Sequence, residues 1–146
     1  MDADCVFCRI VAGELPAERV YEDEHTLAFM DIGPIAKGHA LIIPKAHHPT
    51  IREAPPEVLA SVMATVQRIV DAQFRALQPG GVNVTQANGA AAGQVVPHLH
   101  FHAIPRPEGS ESFLRWKAGT YDSPEEMAAV AGTLRAAIDE SVDGGH

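Results

Sequence analysis

Apolar residues recur along this chain with two different periods, and the two periods predict two kinds of element. Strict alternation of apolar and polar residues is typical of half-buried strands. Apolar residues spaced by three and four predict a long helix over 57–77, which Pro55-Pro56 precedes and Pro79-Gly80-Gly81 ends. Strands are predicted at 19–22, 25–31, 38–44, 81–85 and 97–105. The stripe of the helix consists of Val58, Leu59, Val62, Met63, Val66, Ile69, Val70, Phe74 and Leu77.

Two further helices are predicted near the ends of the chain. Residues 5–11 are short and apolar, as in a turn or two of helix. Near the C-terminus, Ser123-Pro124-Glu125-Glu126 is a capping box that opens a helix over about 123–140. The elements together predict a single α+β domain over 1–146, a mostly antiparallel sheet with a long central helix and a C-terminal helix. The loop before the last helix carries Phe113 and Trp116.

One predicted strand, Pro97-His98-Leu99-His100-Phe101-His102-Ala103-Ile104-Pro105, has a histidine at every second position. Alternation directs Leu99, Phe101 and Ala103 into the core and the three histidines to the opposite face, where neighbours lie about 7 Å apart. The three imidazoles are therefore predicted to line one short groove. Three titratable rings on one face gain nothing from core packing, so they face water idly, bind a metal, or take part in a reaction.

The loop in front of this strand helps to distinguish the last two alternatives. Alternate imidazoles can converge on a catalytic metal ion, and a neutral imidazole is also a good nucleophile towards phosphorus, because its unperturbed pKa is about 6.5. The loop Asn88–Gln94 consists mostly of glycine and alanine, so its main-chain N–H groups can approach an anion closely, and the Gln94 amide adds a donor. A phosphate-sized pocket beside imidazoles favours phosphoryl or nucleotidyl chemistry.

Composition narrows the possible partners and compartments. The chain carries a net charge of −8, so no general affinity for nucleic acid is expected. No run approaches the roughly 20 apolar residues of a membrane span, so no membrane partner is expected. The acidic start, Met1-Asp2-Ala3-Asp4, is unlike a secretory signal, and we expect a cytoplasmic protein. Cys5 and Cys8 are then thiols or metal ligands rather than a structural disulfide.

The run His98-Leu99-His100-Phe101-His102-Ala103-Ile104 resembles the signature of the histidine triad (HIT) family of nucleotide hydrolases and transferases. The resemblance extends over 5–106, which would form the core of the domain, with the C-terminal helix as an extension. It is most similar to the Hint-like branch of purine nucleoside phosphoramidases, in the bacterial form that contains zinc. The further matching segments are Cys5–Ile10, Phe29–Ile32, Gly38–His47 and Ala92–Gln94.

The resemblance implies a role for each matching residue. His100 would be the nucleophile that attacks the α-phosphorus of a nucleotide and carries a nucleotidyl intermediate, flanked by the catalytic histidines His98 and His102. His102 would contact the phosphate or protonate the leaving group, and His39 would support the site by hydrogen bonding. Asp31 would accept the ribose hydroxyls. The base would contact Phe7, Ile10, Phe29, Ile32 and Leu41, and the phosphate Gly93, Gln94 and Val96. Asn88, His100 and His102 would also bind the nucleotide.

Two positions depart from the Hint-like pattern. Ala87 stands where many relatives have an asparagine, although Asn88 is adjacent. Val95 stands where some relatives have a serine that helps to protonate the leaving group, so a preference for other leaving groups is expected.

The pair Cys5 and Cys8 is compatible with a redox dithiol or with half of a zinc site. Relatives with this pair complete the site with histidines at the positions of His47 and His98. The resemblance therefore implies a closed structural zinc site formed by Cys5, Cys8, His47 and His98, which would fix the N-terminal segment to the sheet and would not activate water.

The sequence therefore predicts an enzyme that cleaves nucleoside phosphoramidates or related nucleotidyl adducts and releases a nucleoside monophosphate. Hydrolysis of dinucleoside polyphosphates is a close alternative, and a regulatory module that binds nucleotide with incidental turnover is another. The resemblance alone implies a homodimer.

Overall fold

The computed structural model describes residues 2–112 and 114–143, so Phe113 lies outside the described residues. Five strands, three α-helices and one 3₁₀ turn follow each other along the chain. The strands are β1 (Arg19–Glu22), β2 (Thr26–Met30), β3 (Ala40–Pro44), β4 (Gly81–Gln86) and β5 (Phe101–Arg106). The helices are α1 (Val6–Val11), α2 (Pro56–Leu77) and α3 (Pro124–Asp143), and the 3₁₀ turn is Ala90–Ala92.

The strands form one sheet in the order β1-β2-β3-β5-β4, and every neighbouring pair is antiparallel. The prediction of an α+β fold with an antiparallel sheet, a long helix and a C-terminal helix is confirmed. The register places His102 opposite Leu41 of β3 on one side and Thr85 of β4 on the other. Because directly opposed residues share a face of the sheet, His102 lies on the same face as Leu41.

Each face of the sheet has its own apolar core. Helices α2 and α3 cover one face, where Met30, Ile42 and Phe101 are buried. The opposite face buries Leu27, Phe29, Leu41 and Ile43 against α1. Strands buried on both faces explain why β2 and β3 are apolar at every position apart from Thr26. The functional side chains lie on the face that α1 covers.

The predicted histidine strand is shorter than its alternation suggests. Strand β5 begins only at Phe101, so His98 and His100 precede it in irregular backbone. The reason lies in β3, which ends at Pro44, whose carbonyl accepts a hydrogen bond from the side chain of His98 at 2.8 Å. The N–H of Leu99 accordingly pairs with the carbonyl of His48 in a loop, at 2.7 Å. The predicted burial of Leu99, Phe101 and Ala103 is confirmed.

The apolar stripe of α2 is wider than the face that packs on the sheet. Val62, Val66 and Ile69 are buried as predicted, whereas Met63 and Phe74 are exposed on the outer side of the helix. Three residues outside the predicted stripe are buried instead, namely Thr65, Ala72 and Gln73. In the part of the chain that the structure describes, no helix combines the length and apolar character required to cross a membrane.

The cap of α3 agrees with the sequence prediction. The backbone N–H of Glu126 donates to the hydroxyl of Ser123 at 3.1 Å. The carboxylate of Glu126 accepts in return from the backbone N–H of Asp122 at 2.9 Å. The start of α3 is therefore fixed by a capping box.

Candidate functional site

A cavity of about 620 Å³ lies on the face of the sheet that α1 covers. Its inner part is apolar and buried, and we call it the base end, formed by Phe7, Ile10, Phe29 and Leu41. Its mouth is also apolar but exposed, and we call it the rim, formed by Ile32, Val95 and Trp116. His100, His102 and Asp31 are the polar residues of its lining. This size and lining are typical of a site for one small organic ligand with a few polar contacts.

His100 is held so that one ring nitrogen is free to react. Its Nδ1 lies 2.7 Å from the carbonyl oxygen of His98. Because a carbonyl only accepts, Nδ1 carries the proton and Nε2 of the neutral ring carries the lone pair. The ring of Phe7 packs edge-to-face on this imidazole, with 5.1 Å between ring centroids. The chain therefore presents an oriented, unprotonated imidazole nitrogen beside the cavity.

His102 and His39 form a second pair with defined tautomers. The backbone N–H of Ile35 donates to His39 Nδ1 at 3.1 Å, so the proton of neutral His39 is on Nε2. That nitrogen lies 2.9 Å from Nδ1 of His102 and donates to it. His102 is then protonated on Nε2, the nitrogen that is left for a ligand. The antiparallel pairing of β3 and β5 brings these two residues together across 63 positions of sequence.

Burial keeps all three of these imidazoles neutral. It lowers the pKa of His102 to about 3, and the neighbouring His100 and His39 lower it further. Burial also lowers the pKa of His100, against the opposing effect of Asp31 and of the His98 carbonyl. The pKa of His39 is lowered for the same reason, again opposed by Asp31. A neutral nucleophile at pH 7 is what nucleophilic catalysis at phosphorus requires.

Asp31 connects the histidine pair to the cavity. One carboxylate oxygen accepts from the N–H of Gly33 at 2.8 Å, and the other lies 3.4 Å from Nε2 of His39. Asp31, His39 and His102 are close enough together to hold a cation. However, the hydrogen bond from Ile35 places the proton of His39 on the nitrogen that would have to coordinate, so this set does not favour a metal.

Most hydrogen-bond donors of the glycine- and alanine-rich loop 88–94 already have acceptors within the protein. The N–H groups of Ala92, Gly93 and Gln94 donate to carbonyls within the turn. The side chain of Gln94 donates to the carbonyls of Pro49 and Val96 and accepts from the N–H of Gly89. Asn88 is bonded to Gln86 and Ile51 and does not line the cavity. Gly93 and Val96 do line it.

The next two backbone N–H groups, those of Val95 and Val96, have no acceptor among the described residues. Both residues line the cavity. The backbone N–H of Val96, which the resemblance predicts to contact the phosphate, and that of Val95 are therefore available to a ligand.

Cys5, Cys8, His47 and His98 form a compact cluster behind the cavity. Nδ1 of His98 lies 3.4 Å from Sγ of Cys5 and 3.6 Å from Sγ of Cys8, and Nδ1 of His47 lies 3.4 Å from Sγ of Cys8. A tetrahedral zinc ion with ordinary bond lengths separates a sulfur from a nitrogen ligand by about 3.6 Å. His98 donates its other nitrogen to Pro44, which leaves Nδ1 free to coordinate. The donor set and its spacing therefore fit zinc.

The structure places the three histidines that were predicted to share one groove in two different sites. His100 and His102 line the cavity, whereas His98 is fully buried in the cysteine cluster, so the prediction of one groove with three imidazoles is wrong. His98 precedes β5, and its ring contacts Cys5 and the carbonyl of Pro44. Phe7 packs on both His98 and His100 and links the two sites.

Sequence reasoning missed two residues that contact the site. Trp116 lies with its ring centroid 4.7 Å from that of His102 and 5.8 Å from that of His39. Gln73 of α2 donates to the carbonyls of Gly38 and Ala103, directly behind the histidine pair. A single tryptophan in a loop was the only available signal for the first, and a glutamine beside the apolar stripe of α2 for the second.

Comparison with known proteins gives consistent matches. A family profile described as the HIT domain matches residues 12–109. The adenosine 5'-monophosphoramidase hnt1 of Schizosaccharomyces pombe is 38% identical over 92% of this chain and 98% of its own length. The adenylylsulfatase HINT3 of Arabidopsis thaliana is 48% identical over 72% of this chain, which spans about half of that relative, 53% of its length.

Solved structures agree in fold. A zinc-bound histidine triad family protein from Mycobacterium smegmatis superposes with a TM-score of 0.86, at 38% identity and 98% coverage of both chains. A Hit-like protein from Bartonella henselae, described with an unknown ligand, has a TM-score of 0.84 at 42% identity, and covers 94% of this chain and 98% of its own.

Proposed function

The chain belongs to the HIT family, and from that premise we propose that it is a nucleotide hydrolase that cleaves nucleoside phosphoramidates or related nucleotidyl adducts. His100 attacks the α-phosphorus, a nucleotidyl-histidine forms, and water releases a nucleoside monophosphate. The observation that carries this proposal is the hydrogen bond of 2.7 Å from Nδ1 of His100 to the carbonyl of His98. It leaves Nε2 unprotonated and oriented beside a cavity of the right size.

In this proposal the nucleoside enters the cavity with its base inwards. The base takes the apolar base end, where Phe7 and Phe29 already pack edge-to-face at 5.5 Å, and Ile32 covers it from the rim. The ribose hydroxyls then reach Asp31, whose two oxygens suit a diol. This lining supports a nucleotide as the ligand, because among the described residues it combines an apolar end with one carboxylate and two imidazoles.

The phosphate lies among neutral donors in this proposal. The N–H groups of Val95 and Val96 are free to bind its oxygens, and Nε2–H of His102 donates from the other side. Such donors stabilise the charge that develops on the phosphoryl oxygens during attack. His39 acts as a positioning residue, because its hydrogen bond fixes the tautomer of His102.

We also propose a structural zinc ion held by Cys5, Cys8, His47 and His98. Four protein ligands leave no open coordination position, so the ion would supply rigidity and no activated water. Phe7 lies between the two cysteines in sequence and packs on His100, so the ion would hold this wall of the cavity in place. Zinc should copurify at about one equivalent per chain and be lost from a Cys5→Ser/Cys8→Ser double variant. Equal, near-zero zinc in both proteins would refute the site.

The two buried cysteines form no disulfide. Cysteines without a disulfide suit a reducing compartment such as the cytoplasm, where we place the protein.

The test of the activity compares two histidine variants on adenosine 5'-phosphoramidate. His100→Ala should lower kcat by about 10³-fold or more, because the nucleophile is lost. His25→Ala is the matched control, since His25 is an exposed histidine that does not line the cavity. Diadenosine polyphosphates, assayed in parallel, test the alternative substrate class. Tight nucleotide binding without any turnover in the wild type would support a regulatory module instead.

We propose that the protein is a homodimer, formed through the outer face of α2 and the edge strand β4. Met63 and Phe74 are exposed on that face, and Val84 is exposed on β4, which pairs with a strand on one side only. Exposed apolar side chains beside an unpaired strand edge favour self-association. Light scattering should give twice the mass of one chain for the wild type and a lower mass for Met63→Glu; a monomeric wild type would contradict the proposal.

A further inference from the structure

The side-chain amide of Gln94 makes three hydrogen bonds to main-chain groups. Its Nε2 donates to the carbonyl of Pro49 at 2.6 Å and to that of Val96 at 3.0 Å. Its Oε1 accepts from the N–H of Gly89 at 2.7 Å. Because carbonyls only accept and N–H groups only donate, one orientation of the amide satisfies all three partners. Both N–H bonds of Nε2 are therefore used within the protein, and none is left for a ligand.

Gln94 stands beside the cavity without lining it. Its sequence neighbours Gly93 and Val95 line the cavity, as does Val96, whereas Gln94 is half-buried next to them. The resemblance implies a contact between Gln94 and the phosphate of a nucleotide. The amide, as it is bonded, has no donor for that contact, so its influence on a phosphate passes through the main chain.

Two hydrogen bonds between Gln94 and Gly89 close the glycine- and alanine-rich loop on itself. The side chain of Gln94 accepts from the N–H of Gly89, and the backbone N–H of Gln94 donates to the carbonyl of Gly89 at 3.1 Å. Gly89 has a φ of 96° and a ψ of 151°, a conformation that is essentially restricted to glycine. This reciprocal pair holds the loop in a shape that the backbone alone does not favour.

The bond from Gln94 to the carbonyl of Val96 fixes the turn that carries the two free amides. It spans Val95, and the N–H groups of Val95 and Val96 have no acceptor among the described residues. The same carbonyl of Val96 accepts from the N–H of His98 at 2.9 Å. The carbonyl of His98 in turn accepts from Nδ1 of His100. One side chain is thus connected both to the free amides and to the support of the nucleophile.

The bond to Pro49 anchors this turn to a segment 45 positions away in sequence. Pro49 follows His48, whose carbonyl accepts from the N–H of Leu99 at 2.7 Å. The loop after β3 is therefore bonded to the chain on both sides of His98. The turn around Val95 cannot shift relative to the sheet without breaking the bond between Gln94 and Pro49.

We propose that Gln94 is a positioning residue, which orients the N–H groups of Val95 and Val96 towards the phosphate without touching it. The inference rests on the function proposed above, in which these two amides bind the phosphoryl oxygens. Donors that are already oriented stabilise developing charge without reorganisation during the attack. Loss of the three side-chain bonds of Gln94 should therefore weaken the interactions with the phosphate and leave binding of the nucleoside unchanged.

The test compares AMP and adenosine, two ligands that differ only in the phosphate. Calorimetric titration gives Kd for each, and kcat is measured with adenosine 5'-phosphoramidate. Gln94→Met keeps the length of the side chain and removes its three hydrogen bonds. It should raise Kd for AMP and lower kcat by about tenfold or more each, and change Kd for adenosine by less than about twofold. Gln78→Met makes the same replacement at an exposed glutamine that does not line the cavity, and should leave all three values unchanged.

Gly89→Ala tests the proposal with the side chain of Gln94 intact, and therefore independently of how well Gln94→Met folds. Alanine is strained at a φ of 96°, although its Cβ would meet no neighbour within 4 Å, so the substitution should disturb the residue that Gln94 holds. The same selective loss of affinity for AMP is expected. If Gly89→Ala binds AMP like the wild type while Gln94→Met does not, Gln94 contacts the phosphate directly and the proposal is overturned.

The remaining outcomes separate the role of Gln94 from the activity itself. An equal loss of affinity for AMP and adenosine in Gln94→Met would indicate general damage to the cavity. Unchanged values of Kd and kcat would show that Gln94 is dispensable. Either result overturns the positioning role while the proposed function stands. A wild type that does not cleave the phosphoramidate would refute the proposed function, and the positioning role with it.

Discussion

Replacing Gln73 with leucine removes two hydrogen bonds that α2 makes directly behind the histidine pair. Gln73 is fully buried, and its Nε2 donates to the carbonyl of Gly38 at 2.9 Å and to that of Ala103 at 3.0 Å. Gly38 precedes His39, and Ala103 follows His102. One amide group therefore fixes the backbone on both sides of the bond between the two imidazoles.

The expected change in the free energy of unfolding combines two lost hydrogen bonds with the removal of one buried oxygen that has no partner. Each carbonyl that loses a buried donor costs about 1–3 kcal/mol. Leucine also removes Oε1 of Gln73, which is buried without a partner among the described residues, and this returns about 1–3 kcal/mol. The free energy of unfolding should therefore fall by about 1–3 kcal/mol in total, which lowers Tm by about 3–10 °C for a chain of this size.

Urea and thermal unfolding, together with kcat, measure the effect. Ser61→Ala is the control, because the hydroxyl of Ser61 in the same helix donates to the carbonyl of Glu57 in an exposed hydrogen bond, whose loss should change stability by less than about 0.5 kcal/mol. Gln73→Leu should also lower kcat, because small shifts of His102 misplace its Nε2. A Gln73→Leu protein with the stability and kcat of the wild type would refute the reasoning.

Three further predictions concern pH, metal and ribose. Burial holds the pKa of His102 at about 3 and that of His100 below its usual range, so the unfolded chain binds more protons between about pH 6.5 and 3. The free energy of unfolding should fall as the pH falls through that window, and urea titrations that give a constant value would contradict this. A zinc chelator should lower the Tm of the wild type and leave that of the Cys5→Ser/Cys8→Ser variant unchanged; equal shifts would argue against the cluster as the metal site. Asp31→Asn should raise KM for a ribonucleotide substrate about tenfold and much less for its 2',3'-dideoxy analogue, and equal effects on both would exclude contact with the ribose.

Patterns of local sequence were sufficient for most of the elements. Alternation and helical spacing placed β1 to β4 and α2 within one to two residues of their observed bounds. The capping box placed the start of α3. These features depend on neighbours in sequence, which is why a single sequence specifies them.

The errors came from contacts between distant segments. His98 leaves the strand because β3 ends at Pro44, whose carbonyl accepts a hydrogen bond from the imidazole. The exposure of Met63 and Phe74 depends on how much of α2 the sheet covers. Alternation alone cannot report either contact, because it describes one segment at a time.

The arrangement of the site required both the family resemblance and the fold. The motifs predicted His39, Asp31 and the cysteine pair as site residues. The hydrogen bond between His39 and His102 became visible only with the register of β3 and β5. Trp116 lies in a loop without periodicity, and it reaches the histidines because Gly119 and Tyr121 of that loop are hydrogen-bonded to Pro34 and Gly38. Such a residue has no signature in the order of neighbouring amino acids.

The covalent intermediate on His100 is the most direct test of the account. Wild-type protein should be mixed with excess adenosine 5'-phosphoramidate, stopped in alkali within one turnover, digested, and analysed by mass spectrometry. Phosphorus bound to an imidazole nitrogen survives alkali, so the account predicts an added adenylyl group on the peptide that contains His100. The same group should be absent from the His100→Ala protein. Rapid turnover in the wild type without any adduct on His100 would contradict the account.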